Sequence, residues 1–138
     1  MSLLIDQHHF EEAANLGLHS LTGKPADAFI YYLAALAYAE RARYETDTAE
    51  NSLKRVDEYS DRSVSIDPNN QLNRFNIAWV LEYAGDVNPS SRCKYYADSK
   101  ELLDDASNKL SANVNLKNQV AVSTSRVVEK SKTAHCRE

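Results

Sequence analysis

His8, His9 and Glu12 are the first residues in the chain whose types and spacing could do chemistry. On a helix they share one turn, where imidazoles and a carboxylate can hold a metal ion together. A single turn of ligands with no second cluster is the pattern of a solvated helix end, so neither a metal site nor a cofactor is expected. Asp57, Glu58 and Asp61 form one acidic cluster and Asp98, Asp104 and Asp105 another, both on helix faces turned to water. There is no glycine-rich phosphate loop, no Cys-x-x-Cys pair and no Ser/His/Asp arrangement. Catalysis needs a preorganised pocket of such groups, and the chain is expected not to be an enzyme.

Cys93 and Cys136 are the only cysteines. Two thiols make no disulfide framework and Cys136 lies in a polar tail, so both are expected to be reduced. No apolar run is long enough to cross a membrane. Met1 to Ile5 is apolar but far too short for the core of a signal peptide, and acidic residues follow it. The expected location is cytoplasmic, unless the chain is a fragment whose targeting segment has been removed.

Charge narrows the partners. The net charge of −4 disfavours generic nucleic-acid binding. Residues 1–113 carry 11 Lys/Arg against 18 Asp/Glu, whereas residues 114–138 carry 5 against 2. Five positive charges on a C-terminal helix read as a solvated face. Eight tyrosines and one tryptophan then stand out as the chemistry that remains. Such rings suit protein interfaces, although at helical spacing they also fill cores.

The elements that must carry these residues are all helical. Three glycines and three prolines in 138 residues leave little room for a strand-and-turn fold. Three- and four-residue apolar spacing predicts a first helix near Asp6–Leu21, ended by Gly23-Lys24-Pro25. A second over Asp27–Tyr44 is apolar nearly all round. Asp47 and Glu50 read as a capping box opening a third helix to Ile66, with a buried stripe of Leu53, Val56, Tyr59/Ser60 and Ser63/Val64. Asp67-Pro68-Asn69-Asn70 breaks it and caps a fourth over Gln71–Ala84, closed by Gly85-Asp86. Asn88-Pro89 opens a fifth to about Leu110, with a stripe of Tyr95/Tyr96, Leu102/Leu103, Ala106 and Leu110. A sixth over Asn113–Ser131 carries Leu116, Val120, Ser123/Thr124 and Val127, and residues 132–138 read as a polar tail.

These helices repeat every 43 residues. Pro25 recurs as Pro68, and Ala35 as Ala78 and Ala121. One helix type aligns as Tyr31-x2-Ala34-Ala35-x2-Tyr38, Arg74-x2-Ile77-Ala78-x2-Leu81 and Lys117-x2-Val120-Ala121-x2-Thr124. The other aligns as Ala13-x3-Gly17-x2-Ser20-x4-Pro25, Val56-x3-Ser60-x2-Ser63-x4-Pro68 and Ser99-x3-Leu103-x2-Ala106-x4-Ser111. A repeat of this kind is one supersecondary unit stacked on its copies. Ala35, Ala78 and Ala121 would admit a close neighbouring helix.

The two lines resemble the tetratricopeptide repeat, with its W-x2-L-G-x2-Y first helix and A-x3-F-x2-A-x4-P second helix. The likeness runs over about residues 6–131. It departs in length, since that repeat has about 34 residues and each unit here carries about nine more, near 45–53 and 88–96. The aromatic of the second helix is missing at Gly17 and Ser60. A HEAT-like repeat has a period closer to 43 but does not explain the Asp-Pro-Asn-Asn junction.

The resemblance implies an all-α, right-handed solenoid of about six antiparallel helices, forming a single helical-repeat domain over 1–138. It also implies a concave groove, lined by first-type helices, that holds a peptide or a partner's helix. Here that face would present Phe29, Tyr32, Leu36 and Glu40, then Leu72, Phe75, Asn76, Trp79 and Tyr83. Asn76 sits where carboxylate-binding relatives offer an Asn, but Leu36 and Glu40 replace the basic partners, which argues against a carboxylate clamp.

The expected function is a non-catalytic scaffold or adaptor module binding another protein or peptide in an aromatic groove. The alternatives are a small-molecule or regulatory ligand-binding helical domain, or an oligomerising piece of a larger assembly. The repeat starts and stops at half-units, so the terminal helices would expose apolar faces, which a homodimer would cover.

Overall fold

The helix boundaries in the structure recur after one 43-residue step, except that the last helix runs three residues further. In the computed structural model the described residues are 28–109 and 114–136. They form α1 (Ala28–Tyr44), α2 (Ala49–Ile66), α3 (Gln71–Val87), α4 (Arg92–Lys109) and α5 (Val114–Thr133). Short 3-10 turns over Thr46–Thr48 and Pro89–Ser91 precede α2 and α4. Thus Ala28, Gln71 and Val114 open equivalent helices, and Thr46 is matched by Pro89. The described residues contain no strand. The expected first helix, Asp6–Leu21, with His8, His9 and Glu12, lies outside the described residues. The surplus length over a shorter repeat is taken up by helices of 17 to 20 residues and by the 3-10 turns.

The chain divides after Pro68 into two compact units. In the first, α1 and α2 pair antiparallel. Ser63, near the end of α2, donates its hydroxyl to the carbonyl of Ala28, the first residue of α1, at 2.7 Å. Seven residues of α1 are buried, Leu33, Ala34, Ala35, Ala37, Tyr38, Ala39 and Ala42, as its all-round apolar sequence requires. Tyr59 of α2 stacks on both Tyr31 and Tyr38 of α1, each at 5.9 Å between centroids. The α2 stripe is Ser52, Val56, Tyr59, Ser60 and Ser63, so Ser52 is buried where Leu53 was expected, and Leu53 is half-buried. The capping box does not form: Asp47 is inside the 3-10 turn, and Thr48 caps α2 without a side-chain bond.

In the second unit, α4 lies antiparallel to both α3 and α5, while α3 and α5 run parallel. The Asn70 cap works as its sequence suggests, its carboxamide oxygen accepting the Asn73 N–H at 3.0 Å. Ala78, Tyr96, Leu103, Ala106, Leu116, Val120 and Val127 make one core. Ser99 of α4 donates to the Ala78 carbonyl at 2.7 Å, which brings α4 close over that small residue.

Two readings of this unit are corrected. Gly85-Asp86 does not end α3, which continues to Val87. Gly85 instead admits α4: a Cβ there would lie 2.8 Å from Tyr96 Cε1 and 3.2 Å from Tyr95 Cβ. Ala121 is exposed, unlike Ala35 and Ala78, because α5 buries only the stripe Leu116, Val120, Ser123 and Val127.

The cysteines are not reduced. Cys93 and Cys136 form a disulfide across 43 residues, with Cα atoms 5.3 Å apart. The C-terminal turn brings Cys136 back to α4. His135 takes a left-handed conformation, with φ 58°, and donates its N–H to the Lys132 carbonyl, while Cys136 N–H reaches the Ser131 carbonyl. This is a Schellman ending with His in place of the usual Gly. Cys136 and Ala134 pack against the core beside it, so residues 134–136 are structured where a polar tail was expected.

Candidate functional site

On α3 the repeat separates a buried face from an aromatic one. Ile77, Ala78, Val80, Leu81 and Ala84 are buried, whereas Phe75, Asn76 and Tyr83 are half-buried and Trp79 is 43% exposed. Residues 75, 79 and 83 are one turn apart, so their rings form a ridge along the helix. Trp79 stacks on Tyr83 at 5.7 Å between centroids. Trp79 is therefore a surface residue, whereas Phe75 also packs against the core.

Helix α5 faces this ridge. Phe75, Trp79 and Tyr83 form one wall of a solvent-open cleft of about 630 Å³, and Asn118, Gln119, Val122 and Ser123 form the other. Val122 is 64% exposed. The C-terminal helix thus supplies a wall of the cleft and leaves Trp79 accessible. Asn76 is not among the lining residues. Phe29, Tyr32 and Leu36 lie on α1 in the other unit: Phe29 is 54% exposed and 5.8 Å from the Tyr32 ring, while Tyr32 and Leu36 are half-buried. Burial pushes the Tyr32 phenol above its ordinary pKa.

One end of the cleft is a charge network that periodicity alone does not reveal. Glu82, 4% exposed on α3, accepts from Arg126 Nε and Nη2 at 2.7 Å each and from Lys130. Lys130 also reaches Asp86 at 2.8 Å, and Asp86 accepts the Tyr96 hydroxyl at 2.6 Å. Burial alone would raise the Glu82 carboxyl, but the hydrogen bonds and charges of Arg126 and Lys130 outweigh it and hold the group below the usual carboxylate range. Burial likewise opposes the Lys130 charge, and the two carboxylates overcome it and raise its pKa. Burial and the bond to Asp86 push the Tyr96 phenol up to about 12. The basic C-terminal helix is therefore not simply a solvated face, since two of its charges neutralise α3.

A signal for this network was present. Glu82 interrupts the apolar run of α3, and the Glu82/Asp86 spacing of four matches that of Arg126/Lys130. Parallel helices bring both pairs into register.

Among the described residues no group of three or more His, Cys, Asp or Glu could hold a metal ion, and no helix is long and apolar enough to cross a membrane. No protein-family model, no curated protein and no solved structure matches the chain.

Proposed function

We propose that the chain is a tetratricopeptide-like, non-catalytic interaction module that holds a peptide or a helix of another protein in the cleft between α3 and α5. The observation carrying this reading is the Trp79–Tyr83 stack, left accessible opposite the exposed Val122. Tryptophan and tyrosine dominate interface hot spots because they supply large rigid contact areas with little conformational entropy to lose. The wall opposite is mixed in polarity and the cleft is open to solvent, which suits an extended or helical segment better than an enclosed small molecule. The recurrence of every helix start, and of the ends of α1 and α2, at one offset supports a stacked-repeat architecture.

The disulfide shifts the expected location. Such bonds form and persist in oxidising environments and are rare in the cytosol, so we place the working protein in an oxidising compartment rather than the cytoplasm.

The test is affinity capture with wild type, Trp79→Ala and Val122→Lys, after circular dichroism has shown equal helicity. The reading expects one protein to be retained by wild type and lost with both variants. Retention by both would remove the cleft from the binding surface.

A second reading, pairing with another copy, draws on the exposed Leu72, Trp79, Val114 and Val122 of the same unit. Sedimentation that stays monomeric over a wide concentration range excludes it.

A further inference from the structure

The two cysteines occupy equivalent repeat positions. Cys93 is the second residue of α4, and Cys136 lies one 43-residue step later, just beyond the end of α5. Within this unit α5 is the last helix and buries a single stripe of four residues, Leu116, Val120, Ser123 and Val127. Its final turns are held by Lys130 on Glu82 and Asp86, by the packing of Ala134 and Cys136 on the core, and by the bond to Cys93. Arg126 and Lys130 also line the aromatic cleft. The covalent tie is therefore six residues from the cleft wall, on a segment with few other holds. His135 adds a reason for that segment to depart, since a non-glycine residue with φ 58° is disfavoured unless its surroundings impose it. Cys93 is exposed and Cys136 half-buried, so a reductant has access from the α4 side.

We propose that the Cys93–Cys136 bond is a redox-operated latch on the α5 wall of the cleft, opened by a dithiol reductant and closed by exchange with an oxidised dithiol. In the opening step a reductant thiolate attacks Cys93 Sγ and displaces Cys136 as a thiolate, which takes a proton. The reductant's second thiolate, its proton lost to solvent, then closes on its own sulfur in the mixed disulfide and releases Cys93, also protonated. The protein gains two electrons and two protons, and the dithiol leaves as a cyclic disulfide. Freed of the bond, the turn over residues 130–136 relaxes from α4 and takes Lys130 from Glu82 and Asp86. As a control on partner binding the latch rests on the proposed cleft; as a restraint on α5 it does not.

Hydrogen–deuterium exchange read by mass spectrometry on the full chain tests it, comparing the oxidised protein, the same protein in excess dithiothreitol, and Cys93→Ser/Cys136→Ser. Reduction should speed exchange in residues 126–136 by about tenfold or more and beyond any acceleration in α3 and α4, while residues 28–66 keep their protection. The double variant should match the reduced protein, and acrylamide quenching of Trp79 fluorescence should rise in both. Unchanged exchange in 126–136 would overturn the latch, as would equal acceleration throughout α3 and α4, which marks a staple for the whole unit. Unchanged Trp79 quenching despite faster exchange would overturn its reach to the cleft. None of these readouts needs a partner, so the latch and the binding reading fail separately.

Discussion

Arg126 grips Glu82 with both Nε and Nη2, at 2.7 Å to each carboxylate oxygen, joining two helices 44 residues apart in sequence. The carboxylate is buried, so its charge is sustained only by these donors and by Lys130. An uncompensated buried charge is costly, and the network therefore decides whether α5 stays beside α3. Arg126→Ala, which leaves Lys130 in place, should cost about 1.5–3 kcal/mol, the range for hydrogen bonds to charged groups. Removing Lys130 as well should bring the loss to about 3–5 kcal/mol. Urea denaturation followed by circular dichroism measures both.

Acid should weaken the same contact. The Glu82 carboxyl is held below its unfolded value by Arg126 and Lys130 against the opposing effect of burial. The folded state thus binds this proton less readily than the unfolded state. Its contribution is complete above the ordinary carboxylate range and is lost as pH falls through the depressed folded value. Glu82→Gln should lower stability at neutral pH and flatten the acid limb of a plot of melting temperature against pH. A parallel downward shift of the whole curve would contradict this.

At the alkaline end the sign reverses. The Tyr96 phenol stands at about 12 against an ordinary 10.0, and the Lys130 ammonium is also raised. Both groups hold their protons more tightly when folded. Their stabilisation is complete below the unfolded values and is lost as pH rises through the folded ones, for Tyr96 between 10 and about 12. Tyr96→Phe should remove the tyrosine share of that loss, read as a shallower decline in melting temperature.

Gly85→Ala separates helix propensity from packing. Alanine in a helix interior is favoured over glycine by about 1 kcal/mol. Yet the new Cβ would lie 2.8 Å from a Tyr96 ring that is buried and tied to Asp86. Overpacking of this kind costs about 1–3 kcal/mol, so the variant should be net destabilised. A rise in melting temperature would show that Tyr96 can yield.

Losing the disulfide should be felt more than losing any one ion pair. The chain-entropy relation for a loop of this length gives about 4 kcal/mol. His135→Gly, in contrast, removes a left-handed penalty of about 1 kcal/mol and should stabilise the oxidised protein. Thermal melts of each variant, with and without reductant, check both.

The helices were legible because their punctuation is local. Asp-Pro-Asn-Asn stops one helix and its last Asn caps the next, and the α5 stripe Leu116, Val120, Ser123, Val127 follows the spacing that the sequence displays. Gly85 shows where local reading stops. A glycine that ends a helix and one that admits a ring from another helix look alike until the neighbour is placed. The Asp47/Glu50 box lost to a 3-10 turn that takes up Asp47 and leaves Glu50 in the first turn of α2. The disulfide was hidden by reading Cys136 as part of a tail. Its distance from Cys93, one repeat unit, was visible and marks equivalent places on neighbouring units. Glu82 and Arg126 needed the parallel course of α3 and α5 before their spacings could be compared. Of the proposed groove face, Phe75, Trp79 and Tyr83 come together, and α5 supplies the residues opposite.

Trp79 is the only tryptophan in the chain, so its emission reports on the cleft without a label. Titration of the protein with a tryptophan-free fragment of a captured partner measures the central claim most directly. The account predicts a blue shift and protection from acrylamide as the partner covers the ring, with binding weakened at least about thirtyfold in Trp79→Ala, the loss expected of a hot-spot tryptophan. Full-affinity binding with unchanged Trp79 emission, and an equal affinity for Trp79→Ala, would contradict it.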